Sequence, residues 1–251
     1  MLLRSITKHV KDQNWFAVAL DFFIVVAGIL IAFQITNWNE GQSDREREYE
    51  YLIRLHEDFT ASAQRLGVEI DGLGQQLSDQ DIVLAALDTC ALTQENRPMF
   101  ERGLVRLGWI NSPMYIRRTI DELISSGEMG LVRNKTLRKT IANMTAEIEW
   151  RASVTDAIHR STEHHRYIVD EYVRYSAPKE DEDGFAAASF DLQTLCQNPS
   201  IANAISNIGL STSERRGAYN DLIKRYNEVL SQLATELRSE WQFEVKDKAA
   251  N

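Results

Sequence analysis

Between Trp15 and Thr36 the chain reads WFAVALDFFIVVAGILIAFQIT, an apolar run interrupted by a single charge, Asp21. Coiled as an α-helix this stretch would extend ~33 Å, close to the ~30 Å hydrocarbon core of a bilayer. Trp15 and Trp38 stand at its two ends, where indole rings favour the headgroup region. A soluble core helix is a poor alternative, because the flanking sequence is polar and offers nothing to cover twelve apolar residues in succession, Phe22 to Phe33. A cleaved signal is also a poor fit: the run is long, and Gln34 to Trp38 lacks a small-x-small cleavage site. The expectation is an uncleaved anchor over residues 15–38, preceded by a cytoplasmic amphipathic segment, 1–14, and followed by a helical-bundle domain, 39–251. In the first segment Leu2, Leu3, Ile6 and Val10 alternate with Arg4, Lys8 and Lys11.

The flanking charges give an orientation. Arg4, Lys8 and Lys11 precede the span, whereas Glu40 and the mixed run Asp44 to Glu48 follow it. By the positive-inside rule the N-terminus is cytoplasmic and the bulk lies outside it, so the expected location is the inner membrane with the bulk in the periplasm. Beyond residue 36 the chain carries 25 basic and 35 acidic residues, so phosphate backbones are repelled and nucleic acid is excluded as a partner.

Asp21 is the costly residue, since a carboxylate in hydrocarbon loses ~2.5–3.5 kcal/mol on insertion scales. It shares a helical face with Ala17, Gly28 and Ala32, small residues of the kind that let a second helix approach closely. Two readings stand side by side. Asp21 contacts a partner helix, either another membrane protein or a second copy of the chain, or it sits near the inner interface and reaches water.

The stretch Gly28 to Glu40, closing on Asn37-Trp38-Asn39-Glu40, resembles the N-terminal signature of a bacterial family, domain-of-unknown-function family 6090. Its members have an acidic residue seven positions before the Gly, where this chain has Asp21. Asp121 to Gly127 and Leu131 to Lys135 are similar to the family's middle section. The resemblance implies a membrane-anchored protein and supplies no activity.

After the anchor, Leu52, Leu55, Phe59, Ala63, Leu66, Ile70, Leu73 and Leu77 recur in steps of three and four, a heptad-like stripe. It predicts a helix from near Asn39 to Asp88, weakened at Gly72 and Gly74. A turn over Cys90 to Pro98, a short helix over Phe100 to Ile110 and another from Arg117 to Ser126, capped by Gly127, are expected next. Asn134 is placed to cap a helix reaching Tyr175. Pro178 to Gly184 reads as a solvated loop. A short helix is expected over Ser200 to Ile208, then a last helix opened by a capping box, Ser211 with Glu214. No alternating strand stands out. The fold class is therefore all-α: an N-terminal transmembrane helix continuing into an antiparallel bundle of long helices, with shorter ones between.

Chemistry is sparsely signalled. Cys90 and Cys196 either form a disulfide in an oxidising compartment or remain buried thiols. Asp156, His159 and Glu163 share one helical face and are the only ligand-like cluster, yet a di-metal bundle site needs a second such motif. Arg160 and Arg166 nearby favour a solvated face. Tyr167, Tyr172, Tyr175, Tyr219 and Tyr226 recur at helical spacing, which favours core over a ligand pocket. Phosphate loops and nucleophile elbows are absent, so no cofactor and no catalysis are expected. The function expected is a single-pass membrane protein whose bundle binds a protein partner. A ligand-sensing bundle acting through a membrane partner is the alternative, and a metal-dependent enzyme a weaker one.

Overall fold

The computed structural model describes residues 15–110, 115–176 and 187–241. The amphipathic segment 1–14, the Trp15 side chain and the loop 178–184 lie outside the described residues. The protein is all-α: α1 (Trp15–Thr89), α2 (Arg97–Val105), α3 (Arg118–Ser125), a 3-10 turn (Glu128–Leu131), α4 (Lys135–Asp170), α5 (Leu192–Gln197) and α6 (Pro199–Trp241). Two short strands, β1 (Val173–Ser176) and β2 (Ala187–Phe190), lie between α4 and α5. The chain divides into two units, one ending at Glu50 and one beginning at Tyr51.

In the first unit the described residues belong wholly to α1. Its apolar side chains face outward: Phe22 is 70% exposed and Phe33 64%. Thr36 donates its hydroxyl to the Ala32 carbonyl, 3.0 Å away, satisfying a polar group within the helix itself.

The second unit is an antiparallel bundle. The stripe read from the sequence is buried at Leu52, Leu55, Phe59, Leu66, Ile70 and Leu73, and half-buried at Ala63 and Leu77. α6 runs against α1, with Phe59 meeting Tyr226 edge to face at 5.7 Å and Gly74 meeting Arg216 further along. It also runs against α4: the Asn134 amide donates to Glu236 at one end, and Arg151 to the Ala218 carbonyl, 2.7 Å away, nearer the middle. Asn134 caps α4 as expected, its side-chain oxygen accepting from the Thr136 and Leu137 backbone N–H groups.

The fourth layer is formed by the described residues of 97–110 and 115–131, which return along α1 in pieces. Two buried carboxylates of α1 hold it. Asp79 accepts from Arg102 through two hydrogen bonds of 2.6 Å. Asp58 accepts from Arg118 at 2.9 Å, from the Thr119 hydroxyl at 2.6 Å and from the Thr119 N–H at 3.2 Å. Arg117, at the start of α3, makes no capping bond with its side chain, so Asp58 caps α3 from another helix. Ser62 adds a bond from the Ile116 N–H at 3.0 Å. α2 lies so close to α1 that a Cβ on Gly103 would meet Val83 at 2.7 Å and the Asp79 carbonyl at 2.9 Å.

Several expectations are corrected. The helix opening at Asn134 stops at Asp170, because Val173 and Tyr175 pair with Phe190 and Ala188 in an antiparallel hairpin. Four-residue strands are too short for their alternation to stand out beside a helical pattern. The last helix is unbroken from Pro199, so Ser211 and Glu214 lie in mid-helix and their capping box is unused. Neighbouring packing at Ile205 and Ile208 outweighs the local start signal. The second helix is Arg97–Val105, earlier than read, with Pro98 in its first turn. α5 was not anticipated; Asp191 caps it, accepting from the Gln193 N–H at 3.2 Å. Gly127 adopts the left-handed conformation expected of it, φ 74°.

Replacing Asp58 with Ala strands the buried Thr119 hydroxyl and N–H, and should cost roughly 1–3 kcal/mol. A chemical-denaturation midpoint of the detergent-solubilised protein measures this; an unchanged midpoint would show that the return segment is held by other contacts.

Candidate functional site

Three regions of the described chain carry features beyond packing. The first is the N-terminal part of α1. Asp21, Gly28 and Ala32 are all exposed, and a Cβ on Gly28 would meet nothing within 4 Å. The small-residue face is therefore not used by the described residues of the chain itself. Trp38, the expected interface residue, is 67% exposed at the end of the apolar run. One helix, counted within residues Val18–Thr89, is long and apolar enough to cross a membrane.

The second region is the end of the bundle where α1 stops. Cys90, in a left-handed conformation, and Cys196 on α5 form a disulfide with Cα atoms 5.6 Å apart. It fastens the α1 terminus beside a cluster built from Leu87, Phe100, Leu104, Val173, Leu195 and Ile205. Phe190 of β2 packs on Phe100 at 4.9 Å, which ties the hairpin into the same cluster.

The third region is the turn after α2. Gly108 has φ 67°, and a Cβ there would collide with the Thr162 methyl. Each long helix contributes one side chain to the turn's carbonyls. Gln76 of α1 donates to Arg106 O and Trp109 O, Arg166 of α4 to Leu107 O at 2.7 Å, and Arg215 of α6 to Trp109 O at 3.1 Å. Arg215 is only 3% exposed, and burial lowers its guanidinium from the ordinary value. The turn thus holds Trp109 half out of the surface beside a cleft of about 140 Å³ lined by Glu69, Gly72, Leu73, Gln76 and Arg106.

At the Tyr51 end, the Tyr51 hydroxyl lies 2.6 Å from Glu128 and 3.1 Å from Glu122. Glu122 also takes both ends of the Arg54 guanidinium, which holds its carboxyl below the usual range. The hydrogen bond to Glu128, with burial behind it, pushes the Tyr51 phenol up to about 12.

The face of Asp156, His159 and Glu163 is exposed on α4, as the neighbouring Arg160 and Arg166 favour. His159 and Glu163 form a 3.3 Å surface pair on α4, and Asp156 is exposed one turn earlier. Among the described residues no group of three or more His, Cys, Asp or Glu is placed to hold a metal ion. The tyrosines divide: Tyr219 and Tyr226 are buried, Tyr175 is half-buried against Asp170, and Tyr167 is 69% exposed.

Comparison with known protein families, with curated proteins and with solved structures returns no match. The features that the sequence reading missed are Asp58, Asp79 and the Trp109 turn. A signal for the two carboxylates was present: they lie 21 residues apart, three heptads, on the flank of the apolar stripe.

Replacing Cys90 and Cys196 together with Ala should lower stability by about 2–5 kcal/mol, because the bridge closes a loop of 106 residues. Thermal denaturation with and without reductant checks this; identical curves would mean that the bridge is not formed. Tyr51 gives a pH test. Its folded pKa lies above the ordinary 10.0, so its contribution is complete below pH 10 and is lost as pH rises towards 12. In that window the wild type should lose more stability than Tyr51→Phe, read as the difference between their denaturation midpoints at successive pH values.

Proposed function

We propose that the chain is a single-pass inner-membrane protein, N-terminus in the cytoplasm, presenting its helical bundle outside the cytoplasm to bind a protein partner, without catalysis. The observation that carries this reading is the unbroken apolar surface of α1. Phe22, Phe23, Ile24, Val25, Ile29, Leu30, Ile31, Phe33 and Ile35 are each more than half exposed, far beyond the apolar patches that soluble monomers leave in water. A bilayer satisfies such a surface, and an α-helix is the form that satisfies its own backbone there.

The direction of insertion rests on the flanks: Arg4, Lys8 and Lys11 before the span, no basic excess after it. The Cys90–Cys196 pairing supports the same side, since disulfides persist in oxidising compartments. Contact with a partner helix, or with a second copy, is assigned to the face of Asp21, Gly28 and Ala32. An exposed carboxylate beside a glycine with open space around it suits close approach by another helix.

Two measurements test this. A C-terminal alkaline phosphatase fusion should be active and a fluorescent-protein fusion dark; the reverse pattern would overturn the orientation. A Cβ on Gly28 would meet nothing within 4 Å, so Gly28→Leu should leave the bundle folded while removing a species trapped by cross-linking in native membranes. Unchanged cross-linking would move the contact elsewhere.

A further inference from the structure

We infer that the cleft between α4 and α6 is a binding site for a small neutral polyhydroxy ligand, a sugar of one or two rings. The cleft lies wholly within the bundle, so it stands or falls separately from the partner assigned to the anchor.

The two helices are fastened on either side of the cleft. The Asn134 amide donates to Glu236 at 2.6 Å beyond one end, and Arg151 to the Ala218 carbonyl at 2.7 Å beyond the other. Between these tethers α4 and α6 leave about 390 Å³, within the usual range for small-molecule sites. Asn143, Met144 and Glu147 line it from α4, and Arg225, Glu228 and Gln232 from α6. Both walls are in place before any ligand arrives, which lowers the ordering cost of binding.

Gln232 is the residue that points to a ligand. It lies on α6 between the core positions Val229 and Leu233, and its side-chain oxygen is buried without a hydrogen-bond partner. Burying an acceptor without a donor costs roughly 1–3 kcal/mol. A leucine of similar size would avoid that cost, so the amide serves something other than the fold.

The charges decide the class of ligand. Glu147 takes the Arg151 guanidinium through Oε1, at 2.7 Å and 2.6 Å, and Glu228 takes Arg225 through Oε2 at 3.2 Å. Each carboxylate is balanced by an arginine of its own helix, so an ionic ligand finds no net charge to answer. What the lining offers is hydrogen bonding of both kinds. Asn143 and Gln232 each carry a donor and an acceptor, the carboxylates accept through their second oxygens, and Arg225 has further N–H donors. A hydroxyl donates and accepts at a single atom, so a ring of hydroxyls meets all of these groups, whichever way each amide is turned. Met144, 4% exposed, gives the C–H face of such a ring an apolar floor.

The test is calorimetric titration of the full-length protein in a detergent without a sugar headgroup, lauryldimethylamine oxide. D-glucose and D-galactose probe a single ring and maltose a chain; putrescine and succinate probe the two ionic alternatives. At least one sugar should bind saturably with a Kd of about 1 mM or below, and both ions about tenfold more weakly or worse. Gln232→Leu should weaken sugar binding about tenfold or more while melting at the wild-type temperature or higher. Asn143→Ala, at an exposed position, should weaken it with the fold intact. No saturable binding by any of the three sugars to folded protein would overturn the site. So would equal or tighter binding of either ion, or wild-type affinity in Gln232→Leu. A lower melting temperature in Gln232→Leu would assign the amide to the fold and remove the reason for a ligand.

Discussion

Two buried carboxylates on one helix organise the bundle. Asp58 and Asp79 point from α1 into the segment that returns along it, and each takes an arginine together with other donors or a close backbone approach. A buried carboxylate without partners would be ruinous, so the return segment is obliged to present Arg102 at one level and Arg118 with Thr119 at the other. That requirement sets the register of 97–131 on α1. It also explains how a layer broken into two short helices, a turn and a 3-10 element can cover a long helix. Short helices are marginal by themselves, and here fixed polar anchors at both ends compensate for their length.

The same logic governs the turn at Gly108. Backbone carbonyls freed where α2 ends would be costly inside a bundle, and they are satisfied by Gln76, Arg166 and Arg215. A loop tied by three helices is an unusually stiff place to hold an exposed tryptophan. Elsewhere the bundle is closed by apolar contact, with Phe59 on Tyr226 in the middle and the Phe100 cluster beneath the disulfide. Structure and chemistry therefore separate along the bundle: apolar layers supply stability, and polar seams supply register.

The sequence was legible wherever one signal dominated. The apolar run, the Leu52 to Leu73 stripe, the Asn134 cap and the Gly127 cap each rest on residues within a turn or two of one another. It misled where two local signals competed. Ser211 with Glu214 reads as a helix start, yet Ile201, Ile205 and Ile208 on one side and Tyr219 and Leu222 on the other are buried in the same helix. Val173 and Tyr175 fit a helical stripe as well as an alternating strand, and only pairing with Ala188 and Phe190 decides between them.

By itself, the sequence determined the helical class, the apolar segment and its charge flanks, because these depend on composition and spacing along one chain. Tertiary structure alone decided which polar residues are buried. Asp58, Asp79, Gln76 and Arg215 look like solvated positions in sequence, and they become anchors only because distant donors and carbonyls arrive to meet them. The cleft at Gly72 is of the same kind. A glycine that weakens a helix in one dimension becomes an opening in three, once Arg106 and Trp109 are folded against it.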